Sequence, residues 1–196
     1  MISIKRVTDI SELKGIKKLQ EDNLKKNLTD SEAASEGFVT AEYTMEFLEM
    51  LHHGAPSVIA KDGDQVVGYA LAATQSIREH HDLLSDLFSA IDKIEFHRQL
   101  LKDSAYVVVG QLCVARNYRG LGLVSQMYHH FKNSLADEFD FCITDVAEDN
   151  PRSLKAHIKS GFQVVARLNY GGLAWNIVLW DWKENKQAAA DLPAHL

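Results

Sequence analysis

Apolar and polar positions change period several times along the chain, and each change marks an element. Residues 2–7 alternate with the two-residue period of a strand. From Ile10 the interval lengthens to helical spacing at Ile10, Leu13, Ile16 and Leu19, which predicts a helix with those side chains on its buried stripe. Residues 25–39 (KKNLTDSEAASEGFV) have no clear period and predict a long loop. Tyr43, Phe47, Met50 and Leu51 share one face of a second predicted helix, stopped by Gly54 and Pro56. Residues 57–60, the turn KDGD and residues 65–73 form a hairpin signal with Asp62-Gly63 at its tip.

The second half continues the alternation of elements. Residues 79–103 are mostly helical by pattern, with Leu84, Leu87, Ile91, Ile94 and Leu101 along one stripe. Residues 105–115 (AYVVVGQLCVA) are a nearly continuous apolar run, the mark of a buried central strand. The turn RNYRGLG leads into a helix carrying Val124, Met127, Phe131 and Leu135, and residues 141–147 predict another buried strand. Asn150-Pro151 opens a helix, since Asn can cap and Pro suits the first turn, and Gly161 suits the left-handed position that ends it. Residues 163–168 and 174–182 flank Tyr170-Gly171-Gly172 as a second hairpin, and residues 183–196 read as a frayed tail. With no repeat and no linker, residues 1–182 are expected to form one mixed α/β domain.

Composition removes several function classes. The 196 residues are 46% hydrophobic and 24% charged, which is ordinary for a globular chain and excludes disorder. A net charge of −6 argues against a general nucleic-acid binder, which needs clustered Lys and Arg. The longest stretches free of Asp, Glu, Lys and Arg, residues 65–77 and 168–180, fall short of the ~20 residues that cross a bilayer, so no membrane partner is expected. The N-terminal MISIKRVTDISELKG carries charges and no apolar core, unlike a signal peptide. Cys113 and Cys142 each sit in an apolar run, and two buried thiols fit a reducing compartment, so a cytoplasmic location is expected. The pairs His52-His53, His80-His81 and His129-His130 suggest metal, but adjacent helical side chains diverge by about 100° and no ligand spacing completes a site, so no metal is expected.

Two segments carry chemistry. Gly120 and Gly122 sit where a buried strand hands over to a helix, a geometry that aims free backbone N–H groups and a helix dipole at one spot. With Arg116 and Arg119 beside them, this is a phosphate or pyrophosphate site, although it lacks the Lys-Ser/Thr of a Walker A loop and the third Gly of a dinucleotide loop. Taken alone, the glycine pair is equally a tight turn with two solvated arginines. The second segment runs from Asn150 to Phe162, where Arg152, Lys155 and Lys159 share a helix face; alone, this reads as a solvated basic face.

Together, in this order and spacing, the two segments resemble the GNAT family of acyl-CoA-dependent N-acetyltransferases. Its phosphate-loop pattern Gln/Arg-x-x-Gly-x-Gly/Ala is matched by Arg119-Gly120-Leu121-Gly122-Leu123-Val124, and Val146-x-x-x-Asn150 with Lys159-Ser-Gly161-Phe162 resembles its second cofactor motif. The motifs span residues 105–165, and the element order extends the likeness over residues 2–182. The resemblance implies a mostly antiparallel, twisted mixed sheet splayed between two parallel strands, with helices on both faces. It implies that acetyl-CoA enters the splay and that a small-molecule or peptide amine arrives from the opposite side, for direct transfer without an acyl-enzyme. Backbone N–H groups of Leu121 to Ser125, with Arg119, Gly120, Gly122, Leu123 and Val124 forming the loop, would hold the pyrophosphate. Leu112, Cys113 and Val114 would carry the pantetheine arm like an added strand, with the Leu112 N–H on the thioester carbonyl. Asn150 and Ser153 would contact the arm, and Lys155 or Lys159 would approach phosphate.

The chain also departs from the family's pattern. Val124 stands where the loop's last small residue is usual. His157 stands where the family often has a Tyr that protonates the leaving thiolate. A thiol of pKa ~8.5 needs only a weak acid, so His157 or water could serve, and a packed core histidine is the alternative reading. No carboxylate occurs between Ser104 and Ala115 to act as base; Glu36, Glu79, His80 and Asp145 are the candidates, with Gln111 able only to order a water. The loop 25–40 and the helical insertion 79–103 are the expected acceptor walls. Trp175, Trp180 and Trp182 are expected to pack in the core or line the acceptor pocket, and edge pairing through an exposed last strand would support a homodimer. A non-catalytic acyl-CoA sensor on the same fold is the competing reading.

Overall fold

The computed structural model describes residues 1–29, 31–32, 38–170 and 172–183. Along the chain come β1 (Ile2–Arg6), α1 (Ile10–Glu21), α2 (Met45–Gly54), β2 (Val58–Asp62), β3 (Gln65–Ala73), α3 (Asp82–Ile91), β4 (Glu95–Phe96) and β5 (Gln99–Leu100). They are followed by β6 (Tyr106–Val114), α4 (Leu123–Leu135), β7 (Phe141–Ala147), α5 (Pro151–Lys159), β8 (Gln163–Tyr170) and β9 (Leu173–Asp181). Local chemistry sets the helix starts. Asp9, Thr44 and Asn150 each accept a backbone N–H three residues on, at 3.2 Å, and so cap α1, α2 and α5.

Seven strands form one sheet in the order β1-β2-β3-β6-β7-β9-β8, antiparallel at every step except the parallel pair β6 and β7. That pair holds register only at Tyr106↔Phe141, Val107↔Cys142 and Val108↔Ile143. Beyond it the two strands run on without pairing to each other, β6 to Val114 along β3 and β7 to Ala147 along β9, and a V-shaped splay opens between them. Strand alternation sorts apolar side chains to two faces. Tyr69, Leu71, Val108, Ile143 and Leu179 pack under α1, α2 and α3. Ala70, Val107, Val109, Cys142 and Val178 pack on α4, with Phe162 beyond α5.

Register shifts interrupt the β2–β3, β3–β6 and β8–β9 ladders, and the one in β6 bears on the site. Leu71 pairs with Gln111 but Ala72 pairs with Val109, so Gly110 is an extra residue bulged out of β6. Before the bulge Tyr106 and Val108 face α1–α3; after it Cys113 faces them, with Gln111 on the same side bonded to Gln20 of α1.

Several expectations are corrected. The 79–103 segment is not one helix: a 3-10 turn (Gln75–His80) precedes α3, the chain then folds into the small β4–β5 hairpin, and a second 3-10 turn (Leu101–Asp103) ends it. His97 and Arg98 adopt positive φ at the hairpin tip, which no helix accommodates, while Leu101 is still buried because its N–H bonds back to the Ile94 carbonyl at 2.9 Å. Tyr43 is buried but precedes the Thr44 cap, and Ile10 is 54% exposed at the first turn of α1. The β2–β3 turn centres on Gly63-Asp64, since Asp62 pairs with Gln65 and it is Gly63 that takes positive φ. The Trp-bearing last strand β9 is not an edge, because β8 folds back outside it; the sheet's edges are β1 and β8. Residues 184–196 of the expected tail, Glu36 and Gly171 lie outside the described residues.

Candidate functional site

The loop between β6 and α4 is built for close approach. Gly120 (φ 82°) and Gly122 (φ 75°) take left-handed conformations that a side chain would strain. Gly122 is the N-cap of the 13-residue α4, and no side chain caps that helix, in contrast to α1, α2 and α5. Its first-turn amides at Leu123, Val124 and Ser125 therefore point outward with the positive end of the helix dipole. Arg119 braces the loop: its Nε donates to the Val114 carbonyl at 3.0 Å and Nη2 to Asn23 Oδ1 at 2.6 Å.

The adjoining edge of β6 is set by alternation. Ala115 N–H donates to the Val67 carbonyl at 2.8 Å, which assigns Cys113 and Gln111 to the β3 ladder. Leu112 and Val114 thus turn their peptide groups toward the splay. The Val114 carbonyl meets Arg119 there, while the Leu112 peptide faces the gap that β7 has left. On the far wall, Asn150 Oδ1 accepts from Ser153 N–H at 3.2 Å and Nδ2 donates to the Phe38 carbonyl at 3.3 Å.

A groove of about 360 Å³ joins these parts. Of the residues expected to contact cofactor, Leu112, Cys113, Val114, Arg119, Gly120, Gly122, Leu123, Val124, Ser125, Asn150 and Ser153 line it. Leu121 does not; it projects from the loop, 56% exposed. Arg152, Lys155 and Lys159 lie along the α5 wall, and no Asp or Glu is among the described lining residues.

A second groove starts where the first ends, at Leu112, Asn150 and Ser153, and opens on the other face of the splay. Its lining includes Tyr43, Gly110, Gln111, Asp145, His157 and Trp175, and among the described lining residues there is no Lys or Arg. Burial raises the Asp145 carboxyl to about 6, against a smaller pull downward from its own backbone N–H. Tyr43 donates its hydroxyl to the Gly110 carbonyl at 3.0 Å; burial, then the nearby Asp145 charge, lifts its phenol far above the ordinary range. Under the bulge, Gln111 Oε1 accepts from Tyr69 Oη at 2.6 Å and Gln20 Nε2 at 2.9 Å, and its Nε2 donates to the Ala41 carbonyl at 2.8 Å. This buried network fastens the segment around Ala41 and Tyr43 to β6.

His157 lines the second groove but is engaged at both ring nitrogens. Nδ1 lies 2.8 Å from the Ser153 carbonyl, which can only accept, so Nδ1 carries the proton and Nε2 accepts from the Tyr128 hydroxyl at 2.7 Å. Burial depresses its pKa to about 4 despite the upward pull of that carbonyl, and its ring packs on Tyr128 and Phe162. Of the described base candidates only Asp145 reaches a groove; Glu79 and His80 are exposed on the 3-10 turn before α3. Cys113 is buried, and desolvation raises its thiol to about 12. Among the tryptophans, Trp182 is core, Trp180 stacks near Phe162, and Trp175 lines the second groove. Sequence reasoning missed Asp86, which α3 places in that groove beside Leu83, Leu84 and Leu87. Asp86 and Asp82 are the two acids of an otherwise uncharged segment, DLLSDLFSAI.

Among the described residues no group of three His, Cys, Asp or Glu side chains converges, and no helix is long and apolar enough to cross a membrane. Residues 25–162 match the acetyltransferase (GNAT) family. The fold is shared with a GNAT-family acetyltransferase from Streptococcus agalactiae (13% identity, TM-score 0.63, covering 92% of this chain and 95% of that one). It is shared equally with Arabidopsis thaliana NAA60 in complex with acetyl-CoA (16% identity, TM-score 0.63, 92% and 99% covered). The ribosomal-protein-S18-alanine N-acetyltransferase of Escherichia coli is a third likeness (12% identity, TM-score 0.60, 92% and 94% covered). No curated protein sequence matches the chain. The match covers the splayed strand pair, the uncapped loop and the basic helix together, and the chain belongs to the GNAT acetyltransferase family.

Proposed function

We propose that the protein transfers an acetyl group from acetyl-CoA directly to a primary amine, both bound at once. The observation that carries this is the partition of charge between two grooves that share Leu112, Asn150 and Ser153 in their linings. The described lining of one groove has basic side chains and no acid; that of the other has acids and no Lys or Arg. A polyanion and an ammonium group would meet from opposite faces, where β6 and β7 part.

The fit is specific on the anionic side. Amides of the loop and first turn, from Leu121 to Ser125, would take the pyrophosphate, with Lys155 and Lys159 near its negative charge. The pantetheine arm would lie along the Leu112–Val114 edge toward Asn150 and Ser153. Acetyl-CoA supplies the activated acyl group; the chain supplies position and polarity. The Leu112 N–H, aimed into the gap, would donate to the carbonyl oxygen as negative charge gathers on it. Asp145, a carboxylate above about pH 6, would take the proton that the incoming ammonium must lose before its nitrogen can attack. The new C–N bond replaces the C–S bond, and solvent protonates the thiolate.

His157 is given a positioning role. Its bonds to Tyr128 of α4 and Ser153 of α5 tie together the two helices that flank the cofactor groove. Asp145 in the acceptor groove favours turnover over a binding-only sensor. The buried free thiols of Cys113 and Cys142 support a reducing, cytoplasmic setting.

Calorimetric titration of acetyl-CoA into the native chain and a Gly122→Glu variant tests the reading. Native binding that the variant loses, with its fold intact by circular dichroism, is the expected result, as is release of free thiol only when an amine is added. Absence of native binding up to millimolar ligand refutes the proposal.

A further inference from the structure

Resting on that reading, the lining of the second groove specifies its acceptor further. We infer that the acceptor is a primary amine carried on an apolar body, with no carboxylate beside the nitrogen. Leu83, Leu84 and Leu87 of α3, Leu168 of β8 and Trp175 of β9 supply an apolar wall on several sides. A polar substituent packed against that wall finds no hydrogen bond in exchange for its water, and hydrocarbon gains from burial there. Of the two acids, Asp145 faces the reacting ammonium and Asp86 stands out at the mouth.

The polar groups in that lining argue against a carboxylate. Asp145 lies within and the exposed Asp86 stands at the mouth, so an anion entering meets like charge twice. Most side-chain donors that could receive it are already engaged and the Leu112 N–H is reserved for the thioester carbonyl, which leaves the Thr40 and Ser153 hydroxyls. Both ends of the Gln111 amide are bonded within the protein, Thr144 Oγ1 donates to the Val109 carbonyl at 2.7 Å, and the Tyr43 hydroxyl is held by Gly110. Asn150 Nδ2 gives one N–H to the Phe38 carbonyl, and the His157 Nδ1 proton goes to that of Ser153. A free amino acid would therefore bring its carboxylate against two acids with few donors left to receive it. An alkyl or aralkyl monoamine would not, and neither would a polypeptide N-terminus with a large apolar first side chain, because there the carboxyl is an amide.

The test measures thiol release from acetyl-CoA by the full chain with phenylalaninamide, phenylalanine and spermidine, compared on free-amine concentration. Phenylalaninamide is expected to exceed each of the others in kcat/KM by about tenfold or more. Asp86→Lys, an exposed substitution outside the cofactor groove, should narrow the amide-to-acid ratio by about threefold, with acetyl-CoA affinity by calorimetry unchanged. Phenethylamine against a Phe-led tetrapeptide amide then distinguishes a free amine from a polypeptide N-terminus as the source. Preference for phenylalanine or spermidine overturns this inference and leaves acetyl transfer standing. Thiol release with none of these amines, despite tight acetyl-CoA binding, overturns both.

Discussion

Asp145 carries a carboxyl that burial raises to about 6, and this one shift drives two opposite pH trends. For folding, the native state holds a proton that the unfolded chain has already released. The Asp145 contribution to stability therefore falls as pH climbs from the ordinary carboxylate range through about 6. For activity, only the ionised form accepts the ammonium proton, so kcat/KM should rise through the same interval. Asp145→Asn keeps the shape and removes the charge. It should lower kcat/KM by about 10²-fold and erase the limb near pH 6, leaving only the limb set by the amine itself. Its melting temperature at pH 8 should be no lower than that of the native chain. An unchanged pH–rate profile would remove Asp145 from the reaction. From the sequence, Asp145 was one acid among several, because nothing in residue spacing says which carboxyl loses its water. The same limit applied to His157, whose role turns on a hydroxyl 29 positions away in the chain.

At the scale of elements, the uncapped start of α4 and the capped start of α5 were legible because their determinants are local: two glycines in one case, Asn-Pro in the other. The 79–103 segment was not. Apolar residues at helical intervals are also satisfied by a helix followed by a hairpin, provided both bury the same side chains against the sheet. The end of α5 offers a sharp test of packing between elements. Gly161 has φ 107°, and a methyl group there would sit 2.7 Å from Nε1 of Trp180 on β9. Gly161→Ala combines backbone strain with overpacking against an indole, and should destabilise the protein by about 2–4 kcal/mol. The midpoint of urea unfolding measures it. A shift below about 0.5 kcal/mol would mean that β9 yields more easily than its place in the sheet implies.

Over the whole molecule, a net charge of −6 conceals a basic groove and an acidic one, and bulk composition cannot resolve the two. The order of strands was legible as far as the motif likeness carried it. The acceptor side was legible only in outline, because segment 38–43, α3 and β9 meet there from distant parts of the chain. One buried ion cluster bears on global stability. Glu12 of α1 is 2% exposed and takes bonds from Lys5 of β1 at 2.7 Å, Lys61 of β2 at 3.0 Å and the Thr8 amide at 2.9 Å. Burial alone would raise its pKa, but these three partners together outweigh it and hold the carboxyl at about 2. The stabilisation is complete above the ordinary value of 4.5 and is lost as pH falls from there through about 2. Glu12→Gln should cost about 2–3 kcal/mol at pH 7 and flatten the acid limb of the stability curve. Denaturant titrations at pH 7 and pH 3 check both effects.

The bulge at Gly110 means that β6 is read in two frames. Upstream of it, even-numbered residues belong to the α1–α3 side; downstream, odd-numbered ones do. Deleting the bulged Gly110 would leave Val109 opposite Ala72 and Gln111 opposite Leu71 as neighbours in a plain ladder, so the side chains on both sides of the cut would keep their faces. What the deletion would remove is the Gly110 carbonyl that holds the Tyr43 hydroxyl. Substitutions scanned along this strand should show their every-other-residue rhythm skip one beat at position 110, so numerical parity alone is no guide to which substrate a β6 residue faces.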